Sequence, residues 1–170
     1  MEDSVTVDDK LGRYRQHVDD SIDNTHKERQ DAERNRDYVD GVQWTPQEVE
    51  TLQKRGQPVI TDNKIKDKIE YMEGVEKRTR TDPKAYPRTQ AHEQEADVAT
   101  DCIRYVFDRN NFNQSKSRVF QNLLIEGMGG AEVIVDRKDP RKILVRYCRW
   151  DRLYTDPYSM EPDYSDAMYV

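Results

Sequence analysis

Residues 127–150 read GMGGAEVIVDRKDPRKILVRYCRW, and here the spacing of apolar side chains changes from helical to alternating. Just upstream, Val119, Phe120, Leu123 and Leu124 recur at helical steps, and Gly127 ends that helix. The run AEVIVD then predicts a short strand, Asp139-Pro140 a turn, and KILVRYCRW a second strand. In that second strand Val145, Tyr147 and Arg149 alternate with Leu144, Arg146 and Cys148, so one face is expected to be buried and the other wet. Everything before residue 127 reads as helix or link. The fold class is therefore α+β, with four or five N-terminal helices followed by a small antiparallel sheet. DAMYV, residues 166–170, is expected to add a third strand after a long turn.

Working back toward the N-terminus, nothing from Ser4 to Val39 breaks a helix. Leu11, Tyr14, Val18, Ile22 and Thr25 share one face, but beyond Thr25 only Ala32 continues the stripe. So thin a seam cannot hold a helix alone, so residues 1–40 are expected to be a polar arm lying along something else. Asp40-Gly41 ends it. Thr45, Pro46 and Glu48 supply an N-cap, a proline at the first helical position and a capping box for a short helix ending at Gly56. After the extended piece PVIT, Asn63 caps a helix whose apolar face is Ile65, Ile69, Met72 and Val75. The link RTRTDPKAYPRT, residues 78–89, carries two prolines and reads as an extended surface connection. A long helix with Ala96, Ala99, Ile103, Val106 and Phe107 follows, broken at Asn110-Asn111. Residues 41–170 thus form the main α+β region.

Composition narrows the function classes. Charged residues make up 36% and apolar residues 34%, well below the roughly 45–50% apolar content of an average domain. The core is expected to be small, with much surface left for partners. No run of about 18 apolar residues predicts a membrane span, and MEDSVTVDDK has no apolar stretch of a secretory signal. Cys102 and Cys148 are expected as buried free thiols of a reducing cytosol, with a disulfide as the alternative. The net charge of −6 is uneven: residues 1–50 carry fourteen acids against seven bases, whereas residues 101–150 carry ten bases against six acids. An acidic total does not suit free-standing DNA binding, which needs local positive potential.

Motifs for chemistry are few. Asp151, Asp156, Glu161, Asp163 and Asp166 crowd the last twenty residues, as acids do around a two-metal centre. Yet Asp156-Pro157 and Glu161-Pro162 are turn dipeptides, whose acids accept hydrogen bonds from local backbone N–H groups. His17, His26 and His92 lack zinc spacing, the cysteines offer no CxxC, and GMGG follows a helix and precedes a strand, the reverse of a phosphate loop. No catalytic, cofactor or metal constellation emerges. The basic link with Lys77, Arg78, Arg80, Lys84 and Arg88, interleaved with Tyr86, is the candidate contact for a partner's acidic face or for nucleic acid; the alternative is a solvated loop.

Three stretches together resemble one family. They are RDYVDGVQWTPQEVETLQKRGQPVITDNKIKDKIEYMEGVEKRTRTDPKAYPR (36–88), FQNLLIEGMGGAEVIVD (120–136) and WDRLYTDPYSMEPDYSDAMYV (150–170). In order and spacing they look like the portal proteins of tailed double-stranded-DNA bacteriophages, in the short-tailed branch. The residues that carry the likeness are Gly41, Gln43, Trp44, Pro58, Asn63, Gly74, Asp156, Pro157, Ser159, Asp163 and Asp166. Residues 1–35 are similar only as a polar helix. The resemblance implies a structural, non-enzymatic subunit of a ring, usually of twelve copies, at one capsid vertex of the virion, assembled in the host cytoplasm. It implies double-stranded DNA passing through the channel, and terminase, capsid or scaffolding and tail adaptor proteins as partners. It also implies that residues 41–170 are the early part of the wing and that the chain continues beyond residue 170 into stem, clip and tunnel loop. Tyr38 and Trp44 are expected to wedge the short helix onto the body, and Tyr147, Trp150, Tyr154 and Tyr158 to pack in the sheet or its turns. A free-standing helical adaptor and a metal-dependent nuclease using the terminal acids are the rival readings.

Overall fold

Asn111 takes a left-handed backbone, φ 48°, between two helices, and with it the chain reverses onto itself. The computed structural model describes residues 7–161 and 163–169. Six α-helices come first: α1 (Val7–Asn24), α2 (His26–Asp40), α3 (Pro46–Lys54), α4 (Lys64–Arg78), α5 (Glu93–Arg109) and α6 (Phe112–Glu126). Two strands follow, β1 (Gly130–Val135) and β2 (Ile143–Cys148), paired antiparallel with Val133 opposite Val145. The α+β expectation holds.

Local chemistry sets most boundaries. Thr45 N–H donates to Glu48 Oε2 at 2.8 Å and Glu48 N–H returns to Thr45 Oγ1 at 3.3 Å, the reciprocal capping box that starts α3. Asn63 Oδ1 accepts from Lys66 N–H at 3.1 Å and starts α4. Gly127, at φ 80°, ends α6. At Gly129 a Cβ would stand 2.6 Å from the Val119 carbonyl oxygen, so only glycine lets the strand leave so close to α6.

Two expectations need correction. The N-terminal arm is two helices, because Thr25 leaves helical geometry (φ −108°, ψ 16°) while its hydroxyl donates to the Ser21 carbonyl at 2.6 Å. A threonine that bonds back to residue i−4 competes with the regular ladder. The start of that arm at Ser4 lies outside the described residues. DAMYV makes no strand within its described part, 166–169: Met168 N–H goes to the Asp156 carboxylate at 2.9 Å, and the Tyr169 carbonyl accepts from Asp156 N–H at 3.3 Å. A side-chain acceptor has taken the donor a strand ladder would need.

α6 is the hub. It packs on α2, α4, α5 and both strands, and α2 also touches α4. The core is small, as composition requires: among the described residues Ala32, Val39, Ala96, Ile125 and Val145 are the buried apolar ones. Buried beside them are Ser21, Thr100, Asn122, Glu126 and Asp156. Cys102 is exposed on α5 and Cys148 half-buried; both are free thiols, so the expected burial fails at Cys102. Among the described residues no helix is long and apolar enough to cross a membrane.

Candidate assembly surface

The basic link leaves α4 at Lys77 and Arg78 and runs along the surface to Thr89. Arg80 is the one member of the cluster turned inward. Its Nε donates to Glu76 Oε1 at 2.8 Å, its Nη2 to Glu76 Oε2 at 2.6 Å, and Nη2 also reaches the Ser117 hydroxyl on α6. The Arg80 guanidinium holds the Glu76 carboxyl below the usual carboxylate range, and Glu76 in turn raises the Arg80 pKa. This bidentate clamp fixes the start of the link against α6. Further on, Ala85 N–H donates to the Thr100 hydroxyl at 3.0 Å, tying the link to α5. Lys77, Arg78, Lys84 and Arg88 are exposed, with the Lys84 ammonium 5.7 Å from the Tyr86 ring centroid. Three further cations, Arg104 on α5 and Lys116 and Arg118 on α6, line the same groove as Arg80. Motif reading missed them; the only signal was the basic excess of residues 101–150.

The Gly41–Asn63 region converges. Gly41 takes φ +87° to end α2, and its N–H returns to the Tyr38 carbonyl at 3.2 Å. Asn63, besides capping α4, donates from Nδ2 to the Val39 carbonyl at 2.8 Å. A Cβ at Gly41 would lie 3.6 Å from that Nδ2. Trp44 Nε1 donates to the Ile60 carbonyl at 3.3 Å, closing the loop around α3. Gln43 is half-buried here, and Pro58 and Gly74 are exposed, Gly74 with nothing within 4 Å of where a Cβ would stand. Nothing within the chain explains a glycine at 74.

Three of the terminal acids, Asp156, Asp163 and Asp166, spend oxygens on the backbone, whereas the Asp151 carboxylate pairs with the Arg149 guanidinium at 2.8 Å. Asp156, buried, accepts from Tyr158 N–H and Met168 N–H, each at 2.9 Å. Pro157 follows it, and Ser159 N–H donates to the Asp156 carbonyl at 3.3 Å. Asp166 accepts from the Ser159 hydroxyl at 2.5 Å and from Met160 N–H at 2.8 Å; Asp163 accepts from Ser165 N–H at 3.1 Å. Hydrogen bonds, first from the Ser159 side chain for Asp166 and from the Ser165 side chain for Asp163, hold both carboxyls below the usual range. Among the described residues no three His, Cys, Asp or Glu side chains converge as metal ligands. Helix α2 holds this corner: Arg29 Nη2 donates to the Leu153 carbonyl at 2.6 Å, and its guanidinium lies 4.8 Å from the Tyr154 ring centroid. Tyr158, in contrast, is 74% exposed and packs against little.

Residues 15–170 match the family model described as Phage P22-like portal protein. The chain belongs to the P22-like portal protein family. No curated protein matches the chain significantly. The portal match begins within α1, earlier than Arg36, where the sequence resemblance starts.

Inside this portal chain, one polar cluster between α2, α6 and β2 carries no motif. Arg36 of α2 donates from Nε to Glu126 Oε1 of α6 at 2.7 Å, and Asn122 Nδ2 donates to the Tyr147 hydroxyl at 2.7 Å. Burial pushes the Glu126 carboxyl up, and the Arg36 hydrogen bond opposes that. The signal was available: Asn122 and Glu126 follow Val119 at steps of three and four, placing polar groups on the packed face of α6.

Proposed function

We propose that this chain is a structural subunit of a portal ring, the head-to-tail connector at one capsid vertex, through which the terminase motor packages double-stranded DNA and through which DNA is later ejected. The observation that carries the reading is the portal family match across residues 15–170. The ring has twelve subunits, its partners are terminase, capsid or scaffolding proteins and tail adaptors, and assembly takes place in the host cytoplasm. Residues 41–170 belong to the wing, with residues 1–40 as an arm along it. The portal performs no chemistry of its own; ATP hydrolysis belongs to the motor.

Two physical features support this. A surface this polar, over so small a buried core, leaves room for large contacts between subunits that stay soluble before assembly. An acidic total lets DNA slide rather than be gripped. Of the cationic cluster, Lys77, Arg78, Lys84 and Arg88 face a neighbour or DNA, and Arg80 positions the link that carries them. Negative-stain electron microscopy of the purified protein tests the reading: closed rings with a central channel support it, and monomers at all concentrations and salts count against it.

A further inference from the structure

Between α4 and α6, and on toward α5, two adjoining cavities of about 430 and 250 Å³ form one trough that meets at Arg80 and Asn113. Its walls carry Lys77, Arg80, Arg104, Lys116 and Arg118 against the carboxylates of Glu73, Asp82 and Asp108. Arg80 is satisfied by Glu76 and Ser117, and Glu73 is held by Gln121 Nε2 at 2.8 Å. Among the described residues Lys77, Arg104 and Lys116 enter no ion pair and are exposed. Asp82 and Asp108 are exposed and, among the described residues, in no ion pair either, so the five wall cations against three carboxylates leave a modest positive excess on this face.

The opposite sign is left over on α2. Glu33, Asp37 and Asp40 follow one another at steps of four and three, so they form one stripe of the helix. All three are exposed, and among the described residues none is in an ion pair. Stripe and trough cannot neutralise each other within one copy. α2 meets α6 near its C-terminal end, through Arg36 and Glu126, whereas the trough uses residues 113–121 of α6.

We infer that the trough receives the acidic stripe of α2 from a second copy of this chain. This rests on the ring reading and names the contact that would build it. Two different patches in contact make a head-to-tail interface, which closes into a ring where an isologous one would stop at a dimer. Mixed sign within the trough favours this occupant over DNA. Three wall carboxylates oppose a uniformly negative phosphate backbone, whereas three acids spaced about a helical turn apart can meet the wall cations one by one.

The test mixes two charge-reversed variants of the chain, Lys77→Glu/Arg104→Glu/Lys116→Glu, which spoils the trough, and Glu33→Lys/Asp37→Lys/Asp40→Lys, which spoils the stripe. Each alone should associate at least tenfold more weakly than wild type by sedimentation. Together they should form a 1:1 complex, since one retains the stripe and the other the trough. The neutral variant Lys77→Gln/Arg104→Gln/Lys116→Gln, free of new repulsion, should weaken association and lose most of its salt dependence. No mixed complex, or wild-type association by either reversed variant, overturns the contact. So does a trough variant that loses affinity for a short DNA duplex while associating normally. Wild-type rings without a mixed complex would sink the contact and leave the portal reading standing; a mixed complex from a chain that never closes would do the reverse.

Discussion

Arg36 and Glu126, ninety positions apart, are joined by an Nε–Oε1 hydrogen bond of 2.7 Å, and the Glu126 side chain has no solvent exposure while that of Arg36 keeps 30%. The pair locks α2, part of the acidic N-terminal segment, onto the hub helix. Glu126→Ala strands the guanidinium and opens a void, so it should cost about 3 kcal/mol in urea denaturation at pH 7. Glu126→Gln keeps the shape and an acceptor for Arg36, and should cost about 1 kcal/mol or less.

The same carboxyl gives stability a pH dependence of definite sign. Burial raises the folded pKa of Glu126 above its unfolded value of about 4.5, so the native state holds the proton more firmly. Its contribution is fully present below the unfolded pKa and is lost as pH rises through the folded one. Unfolding measured from pH 4.5 upward should therefore show Glu126→Gln gaining on wild type as the pH rises. A difference between the two that does not change with pH would contradict the assignment.

Glycines 129 and 74 should behave in opposite ways. Gly129→Ala puts a Cβ 2.6 Å from the Val119 carbonyl and should lower stability by about 2–3 kcal/mol. Gly74 lies in α4 with open space around it, so Gly74→Ala should stabilise the isolated subunit by about 0.5–1 kcal/mol. Thermal melts of the two variants read this directly. If Gly74→Ala also impairs assembly, the glycine serves a neighbour's close approach.

At the acidic corner, Asp156→Ala orphans two backbone N–H groups in a buried turn and should cost about 2 kcal/mol. Asp166 is exposed, so its effect is local: Asp166→Asn should speed amide exchange at Met160 at pH 7. Its folded pKa is depressed, so its contribution is present above the unfolded pKa and is lost as pH falls through the folded one. Wild type and variant should therefore converge in strong acid.

Where structure follows from neighbours in sequence, the sequence was readable. The Thr45–Glu48 box, the Asn63 cap, the break at Asn111, the hairpin and the turn role of Asp156 all depend on residues a few positions apart. The break at Thr25 was hidden because threonine is tolerated in helices, and nothing in its neighbours marks it as one whose hydroxyl bonds back to Ser21. Alternation in DAMYV resembled a strand, but the Asp156 carboxylate, twelve residues away, captured its donor. Arg36–Glu126 and the Arg80–Ser117 contact pair residues far apart in the chain, and no local pattern names such partners. The basic link was legible as a charge run, whereas the inward turn of Arg80 required the fold.

The central claim is that this chain builds a portal ring. Electron microscopy of the protein expressed from its complete reading frame, at several salt concentrations, tests it most directly. Closed rings with a central channel, dissociating as salt rises, are the predicted result. A particle population that stays monomeric, or that closes as a two-fold dimer, would contradict it.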